Sequence, residues 1–313
     1  MEKNAVLLLA HGSPNSVDEV PKFLLEVTRG RKLAPEVVEE VSHRYGLIGR
    51  SPLTHLTMRQ GQLLSSKIGL PVYVGMRNWK PYIADVLRTM TEDGIGHAVV
   101  VCLAPQNSRT SVGLYRSALT SNGELPFGVD FVESWHDHPL LIKAFAEKLK
   151  AGLARAGPEG GANLPVIFTA HSVPQRTIAD GDPYESQAKE TAALVAADVG
   201  MAREDWKFAF QSQGMSGGPW LGPTVEETIL NLKAQGHSGV LIQPIGFLCD
   251  HVEVLYDIDI GFKEFARAKT MRLWRAESLN DSPWLTAALA DIVSSRLSRT
   301  DRVTPVAAPA QHY

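Results

Sequence analysis

Two similar halves of alternating strands and helices, an α/β chain with parallel sheets, is the fold class this sequence predicts, and three observations predict it. One phrase occurs twice, as VLLLAHGSP at 6–14 and VIFTAHSVP at 166–174. Each copy reads as a buried run of about five apolar residues that ends in Ala-His and is halted by a proline-bearing turn. Half the chain separates the copies, which marks an internal repeat of one α/β unit. Short apolar runs then alternate with helix-period segments throughout, and such alternation builds parallel sheets covered by helices on both faces. Near the midpoint the loop-like stretch is GPEGGAN at 157–163, where one half gives way to the other.

Each half has its own series of elements. In the first half the apolar runs predict strands at 5–10, 71–75, 97–103 and 129–133, with helices at 17–28, 35–45, 53–67, 81–93, 109–120 and 138–155. In the second half strands are expected at 165–170, 206–211, 239–245 and 271–275, and helices at 184–198, 224–235, 252–267 and 283–298. Thr224 is placed to cap the helix that begins there. Residues 1–160 therefore make one doubly wound, Rossmann-like domain and 161–299 a second, related by the repeat. The tail at 300–313, rich in Pro and Ala, is expected to be disordered.

Composition narrows the class of function. With 313 residues, 44% hydrophobic and 21% charged, the chain is large enough for two real cores. A net charge of −3 offers no basic field, so no nucleic-acid partner is expected. The apolar run ending at His11 is too short for a signal peptide and no stretch could span a bilayer, which predicts a soluble, cytoplasmic protein. Cys102 and Cys249 each come after an apolar run and read as reduced, buried thiols. Two cysteines are too few for an iron–sulfur cluster, so none is expected.

Ligands of open parallel sheets bind beyond the carboxyl ends of the strands, and His11 and His171 stand at two such ends. After the strand at 239–245 comes LCDHVEVLYDID at 248–259, which groups Asp250, His251 and Glu253 where a strand hands over to a helix. On a regular helix Glu253, Asp257 and Glu264 share one face, because steps of four and seven return to the same side. Such a stripe is either a solvated surface or a path for cations. An imidazole paired with a carboxylate, here His171 with Glu253, suits metal delivery coupled to proton removal. Other chemistries fit poorly. FQSQG at 210–214 lacks the first glycine of a nucleophile elbow, and GMSGG at 214–218 lacks the Lys-Ser/Thr of a phosphate loop.

These phrases resemble the ferrochelatases. HSVP at 171–174, GDPY at 181–184, FQSQ at 210–213, PWLGP at 219–223 and GFLCDHVEVLYD at 246–257 carry the likeness in the second half. RGR at 29–31, HRY at 43–45, GRSPL at 49–53, LAP at 103–105 and Tyr115 carry it in the first. The DHVEVLYD run looks most like the bacterial branch that uses coproporphyrin III. The resemblance implies a chelatase-type fold with a porphyrin cleft between the halves, and insertion of Fe(II), as substrate, with no organic cofactor. It implies a catalytic and metal-binding pair, His171 and Glu253, and a proton or metal path through Asp257 and Glu264. Porphyrin contacts are implied at His11, Arg44, Tyr45, Ser51 and Tyr115, although core packing is an equal reading of the two tyrosines. Three departures stand out: His11 replaces a frequent tyrosine, Thr28 an arginine, and Gly261 a glutamate of the acidic stripe.

The expected product is coproheme, with protohaem from protoporphyrin IX as the alternative. A cobalt or nickel tetrapyrrole chelatase, or a two-lobed binding protein without catalysis, are the rival readings. A monomer is the expected state.

Overall fold

The computed structural model describes residues 3–121, 123–161, 163–213 and 218–300. The expected tail from 301 onward and most of the glycine loop, at 214–217, lie outside them. Eight strands fall where apolar runs predicted them. In the first half these are β1 (Asn4–Ala10), β2 (Val72–Met76), β3 (His97–Cys102) and β4 (Gly128–Val132). In the second they are β5 (Val166–His171), β6 (Trp206–Gln211), β7 (Gly239–Pro244) and β8 (Arg272–Arg275). The two sheets have orders β2-β1-β3-β4 and β6-β5-β7-β8, so the repeat in sequence is a repeat in topology. Every pairing is parallel, with Val6 beside Val72 and Val99 in one sheet and Val166 beside Trp206 and Leu241 in the other.

Helices cover both sheets. The first half carries α1 (Val20–Val27) after a 3₁₀ turn, then α2 (Pro35–Ile48), α3 (Leu53–Ile68), α4 (Ile83–Glu92), α5 (Val112–Thr120) and α6 (Pro139–Gly160). The second carries α7 (Gln175–Ala179), α8 (Tyr184–Val199), α9 (Val225–Ala234), α10 (Val252–Leu255), a π-helical turn at Asp257–Phe262, α11 (Lys263–Ala268) and α12 (Pro283–Thr300). Thr224 caps α9 as expected, accepting the Glu227 N–H while the Glu227 carboxylate accepts the Thr224 N–H. Two expectations change. α7 was not foreseen, being only five residues long, and the helix expected at 252–267 is three pieces joined by the π turn. Among the described residues no helix is long and apolar enough to cross a membrane.

Alternate residues of each central strand feed opposite cores. Val6, Leu8 and Ala10 of β1 share a core with Val166, Phe168 and Ala170 of β5, while Ala5, Leu7 and Leu9 pack under α4 and α5. Helices also cross between the sheets: α6 lies on β7, β8 and α8, and α12 lies on α3 and β3. The shared core therefore holds the carboxyl ends of both sheets toward a common gap. At the rim of that gap two glycines are required by shape. Gly12 has φ +83 and a Cβ there would stand 2.8 Å from the Trp79 Cβ. At Gly246 a Cβ would stand 2.9 Å from the Ala170 Cβ, so the exit of β7 passes directly over the end of β5.

Candidate active site

Each repeat delivers a histidine at its first strand's carboxyl end, and the backbone orients both in the same way. His11 Nδ1 donates to the Gly12 carbonyl at 2.9 Å, and His171 Nδ1 donates to the Ser172 carbonyl. A carbonyl only accepts, so Nδ1 carries the hydrogen in each ring and Nε2 is left for a proton or a metal. His251 uses the same device, donating from Nδ1 to the Cys249 carbonyl at 2.9 Å. Tyr184 adds a second hold on the His171 end of β5, its hydroxyl donating to the His171 carbonyl at 3.0 Å.

Glu253 lies between two of these rings. Its Oε1 is 3.4 Å from His171 Nε2 and its Oε2 is 3.5 Å from His251 Nε2. The Gln211 amide fixes the segment by donating to the Glu253 carbonyl at 2.8 Å. Burial pushes the Glu253 pKa up, but the two imidazoles outweigh it and hold the carboxyl well below the usual range. For His171 burial disfavours the cation, yet Glu253, the Ser172 carbonyl and Asp257 together raise its pKa above the ordinary value. Both shifts favour an imidazolium beside a carboxylate. His11 is the opposite case. Its ring is reachable from solvent, but desolvation between the cleft walls, helped by the Arg77 charge, lowers its pKa to about 4 and keeps it neutral. It lies within electrostatic reach of Glu253 and His251 across the gap.

Asp257 extends this group outward. The Ser212 hydroxyl donates to its Oδ2, and Arg44 Nη1 stands 3.9 Å from its Oδ1. Burial leads the causes that raise its pKa, with Glu253 adding to it. Arg44, read from the sequence as a porphyrin contact, is shared among Glu40 at 2.8 Å, the Tyr256 ring at 5.0 Å and Asp257.

Other sequence candidates are placed differently. Tyr45 is 3% exposed, its hydroxyl 3.2 Å from Ser13 Oγ and its ring against Phe23, and burial pushes its pKa up to about 12. Tyr115 is buried beneath the Arg77 guanidinium, 5.7 Å from ring centre. Both rings build the wall. Ser51 is buried with its hydroxyl unpartnered. Glu264 corrects the helical-face argument: the π turn inserts residues into the helix and rotates the later positions by about 100° per extra residue. It lies exposed on α11, beyond the π turn that separates it from Glu253. Asp250 is an anchor, held by Arg275 at 3.2 Å, Ser278 at 2.7 Å and Asn280 at 2.9 Å.

Sequence reasoning missed Arg77 altogether. It stands just past the carboxyl end of β2, a position the strand-end rule could have flagged, and its buried Nε has no partner. Among the described residues no group of three His, Cys, Asp or Glu side chains is set to hold a metal ion. The Nε2 atoms of His171 and His251 on either side of the Glu253 carboxylate are the nearest donors, and such nitrogen and oxygen ligands suit a borderline dication as substrate.

A ferrochelatase family model matches residues 3–297. The chain belongs to the ferrochelatase family. It is 54% identical over 312 residues to a ferrochelatase of Acidobacterium capsulatum, covering 95% of this chain and 96% of the relative. It is 32% identical over 309 residues to the coproporphyrin III ferrochelatase of Bacillus subtilis, covering 95% and 99%. Among solved structures, SirB from Bacillus subtilis with Fe3+ superposes with TM-score 0.60 at 14% identity, covering 96% of this chain and 97% of that one. That likeness supports the chelatase-type fold. As a ferrochelatase the protein is a lyase that inserts iron into a porphyrin, and porphyrin and iron are its substrates.

Proposed function

We propose that this ferrochelatase inserts Fe(II) into coproporphyrin III to give coproheme, with His171 and Glu253 as the catalytic and metal-contacting pair. The observation that carries the site is the 3.4 Å approach of His171 Nε2 to Glu253 Oε1, facing a neutral His11. A free-base porphyrin loses two N–H protons as the dication enters, so bases must stand on one face of the ring. His171, once it has released its own proton, takes one from a pyrrole N–H. Glu253 contacts the entering metal and passes protons toward Asp257, whose raised pKa suits a relay to solvent. His11 Nε2 offers a lone pair from the other wall, suited to the iron of the bound product.

One feature favours the four-propionate substrate, and a second marks where a propionate of either porphyrin would sit. Relatives named coproporphyrin III ferrochelatases match over nearly the whole chain, at 33% and 32% identity. Burial lowers the Arg77 pKa and the nearby Arg29 charge adds to that, and neither arginine forms an ion pair with a carboxylate among the described residues. Neighbouring guanidiniums repel unless an anion joins them, and a propionate is such an anion. We propose no organic cofactor and no iron–sulfur cluster, a cytoplasmic location and a monomer.

The deciding experiment supplies Fe(II) with coproporphyrin III or protoporphyrin IX under anaerobic conditions and tracks the absorbance of the metallated ring. Faster insertion into coproporphyrin III is expected, and a clear preference for protoporphyrin IX overturns the substrate. The relay has its own test. Asp257→Asn slows turnover more at low than at saturating iron if Asp257 passes metal inward, and equal slowing at both leaves it a proton carrier only.

A further inference from the structure

We infer that Arg275 is a positioning residue for iron insertion, bracing from both ends the segment that carries His251, Glu253 and Asp257. This rests on the reading of Glu253 as catalytic. Arg275 ends β8, and its guanidinium is largely buried, at 13% exposure. Toward one side it grips Asp259 with two parallel hydrogen bonds, Nε to Oδ1 at 2.8 Å and Nη2 to Oδ2 at 2.9 Å. Toward the other, Nη1 donates to Asp250 Oδ1 at 3.2 Å. Asp250 precedes Glu253 and Asp259 comes after Asp257, so one planar fork holds both ends of 250–259.

The segment needs holding from outside. It changes from α10 to a π turn within a few residues, so no continuous ladder of regular helical bonds stiffens it. Ser278 and Asn280 complete the Asp250 end, donating at 2.7 and 2.9 Å. Lysine, a point charge on a flexible stem, cannot reproduce a grip on two carboxylates. None of these contacts reaches Arg77 or the tyrosines of the first-half wall, and the segment meets Arg44 only through Asp257 at 3.9 Å and the Tyr256 ring at 5.0 Å, so loss of the brace should reach the chemistry more than porphyrin binding.

The test compares wild type with Arg275→Met, Arg275→Lys, Asp259→Asn and Glu253→Gln, reading iron-insertion kcat, porphyrin affinity by fluorescence quenching and the melting curve. Arg275→Met is expected to lower kcat by about tenfold or more, as loss of an outer partner of a metal-site ligand does, with porphyrin affinity within about threefold of wild type. Arg275→Lys falls between the two. Should Arg275→Met fail to fold, Asp259→Asn, a change at a partly exposed carboxylate, is expected to lower kcat with porphyrin affinity kept. Wild-type turnover in Arg275→Met, or in Asp259→Asn, overturns the inference while an inactive Glu253→Gln leaves the site reading standing. A parallel fall of kcat and porphyrin affinity also overturns it, because that marks a general loss of structure. An active Glu253→Gln removes the site reading and this inference together.

Discussion

The proton on His171 has to leave before that ring can act as a base, and this ties activity and stability to pH in opposite directions. Because the folded pKa of His171 is raised, kcat/KM should climb as pH rises through a value above the ordinary imidazole value of 6.5. A pH profile whose acid limb lies below that value contradicts the assignment. The ion pair itself stabilises the fold below the unfolded imidazole pKa, and that contribution is lost as pH rises through the folded one. On the acid side the depressed Glu253 pKa gives stability above its unfolded value, lost as pH falls through the folded value. Both side chains are about a third exposed, at 32% and 33%, so solvent screening keeps the contribution small. His171→Ala should lower kcat by roughly 10²–10⁴-fold with melting almost unchanged. At this scale the sequence showed residue type and strand-end position, which was enough to nominate His11, His171 and Glu253, groups the fold brings within reach of one another. It could not show partners. Asp250 looked like a ligand because Arg275, Ser278 and Asn280 come from a different strand and loop.

Elements were legible where one period ruled and opaque where it changed. β1 and β5 stood out because a parallel strand buried on both faces must be apolar at successive positions, and Ala5 to Leu9 are all at 0% exposure. The run after β7 misled for the converse reason: stepping by four and seven presumes 3.6 residues per turn, and the π turn at Asp257–Phe262 breaks that presumption. Asp257 lies early enough to stay beside Glu253, whereas Glu264 lies beyond the break. Close approach of elements sets the next expectation. Gly246→Ala forces a Cβ to within 2.9 Å of the Ala170 Cβ and 3.0 Å of its Cα, at the residue before His171. The end of β5 must shift, at a cost of about 1–3 kcal/mol in stability. Iron insertion should fall more than porphyrin affinity does, measured by steady-state kinetics and quenching. An unchanged melting point and rate would show that the β7 exit has room the structure does not display.

At the scale of the whole molecule the repeat was readable and the coupling between its copies was not. Two matching phrases announced two matching sheets, because local apolar pattern makes a strand wherever it falls. No such pattern tells that α6 lies over β7 and β8 or that α12 lies over α3 and β3. Those are long-range packings that depend on how helix faces from distant parts of the chain match. Their consequence is cooperativity: Ala288, Leu289 and Val293 of α12 are in one core with Val6, Leu8 and Phe168. A chain ending at residue 282 loses this helix, and it is expected to be insoluble or to melt without a sharp transition, checked by circular dichroism. Sharp melting of the shortened chain would show that the halves stand alone.

The same helix constrains the order of events during synthesis. The surfaces of α3 and β3 are finished early by the ribosome, but the helix that covers them is translated long after both. Until then the nascent protein carries a bare oily flank, and the cleft has no fixed width before α12 has been added.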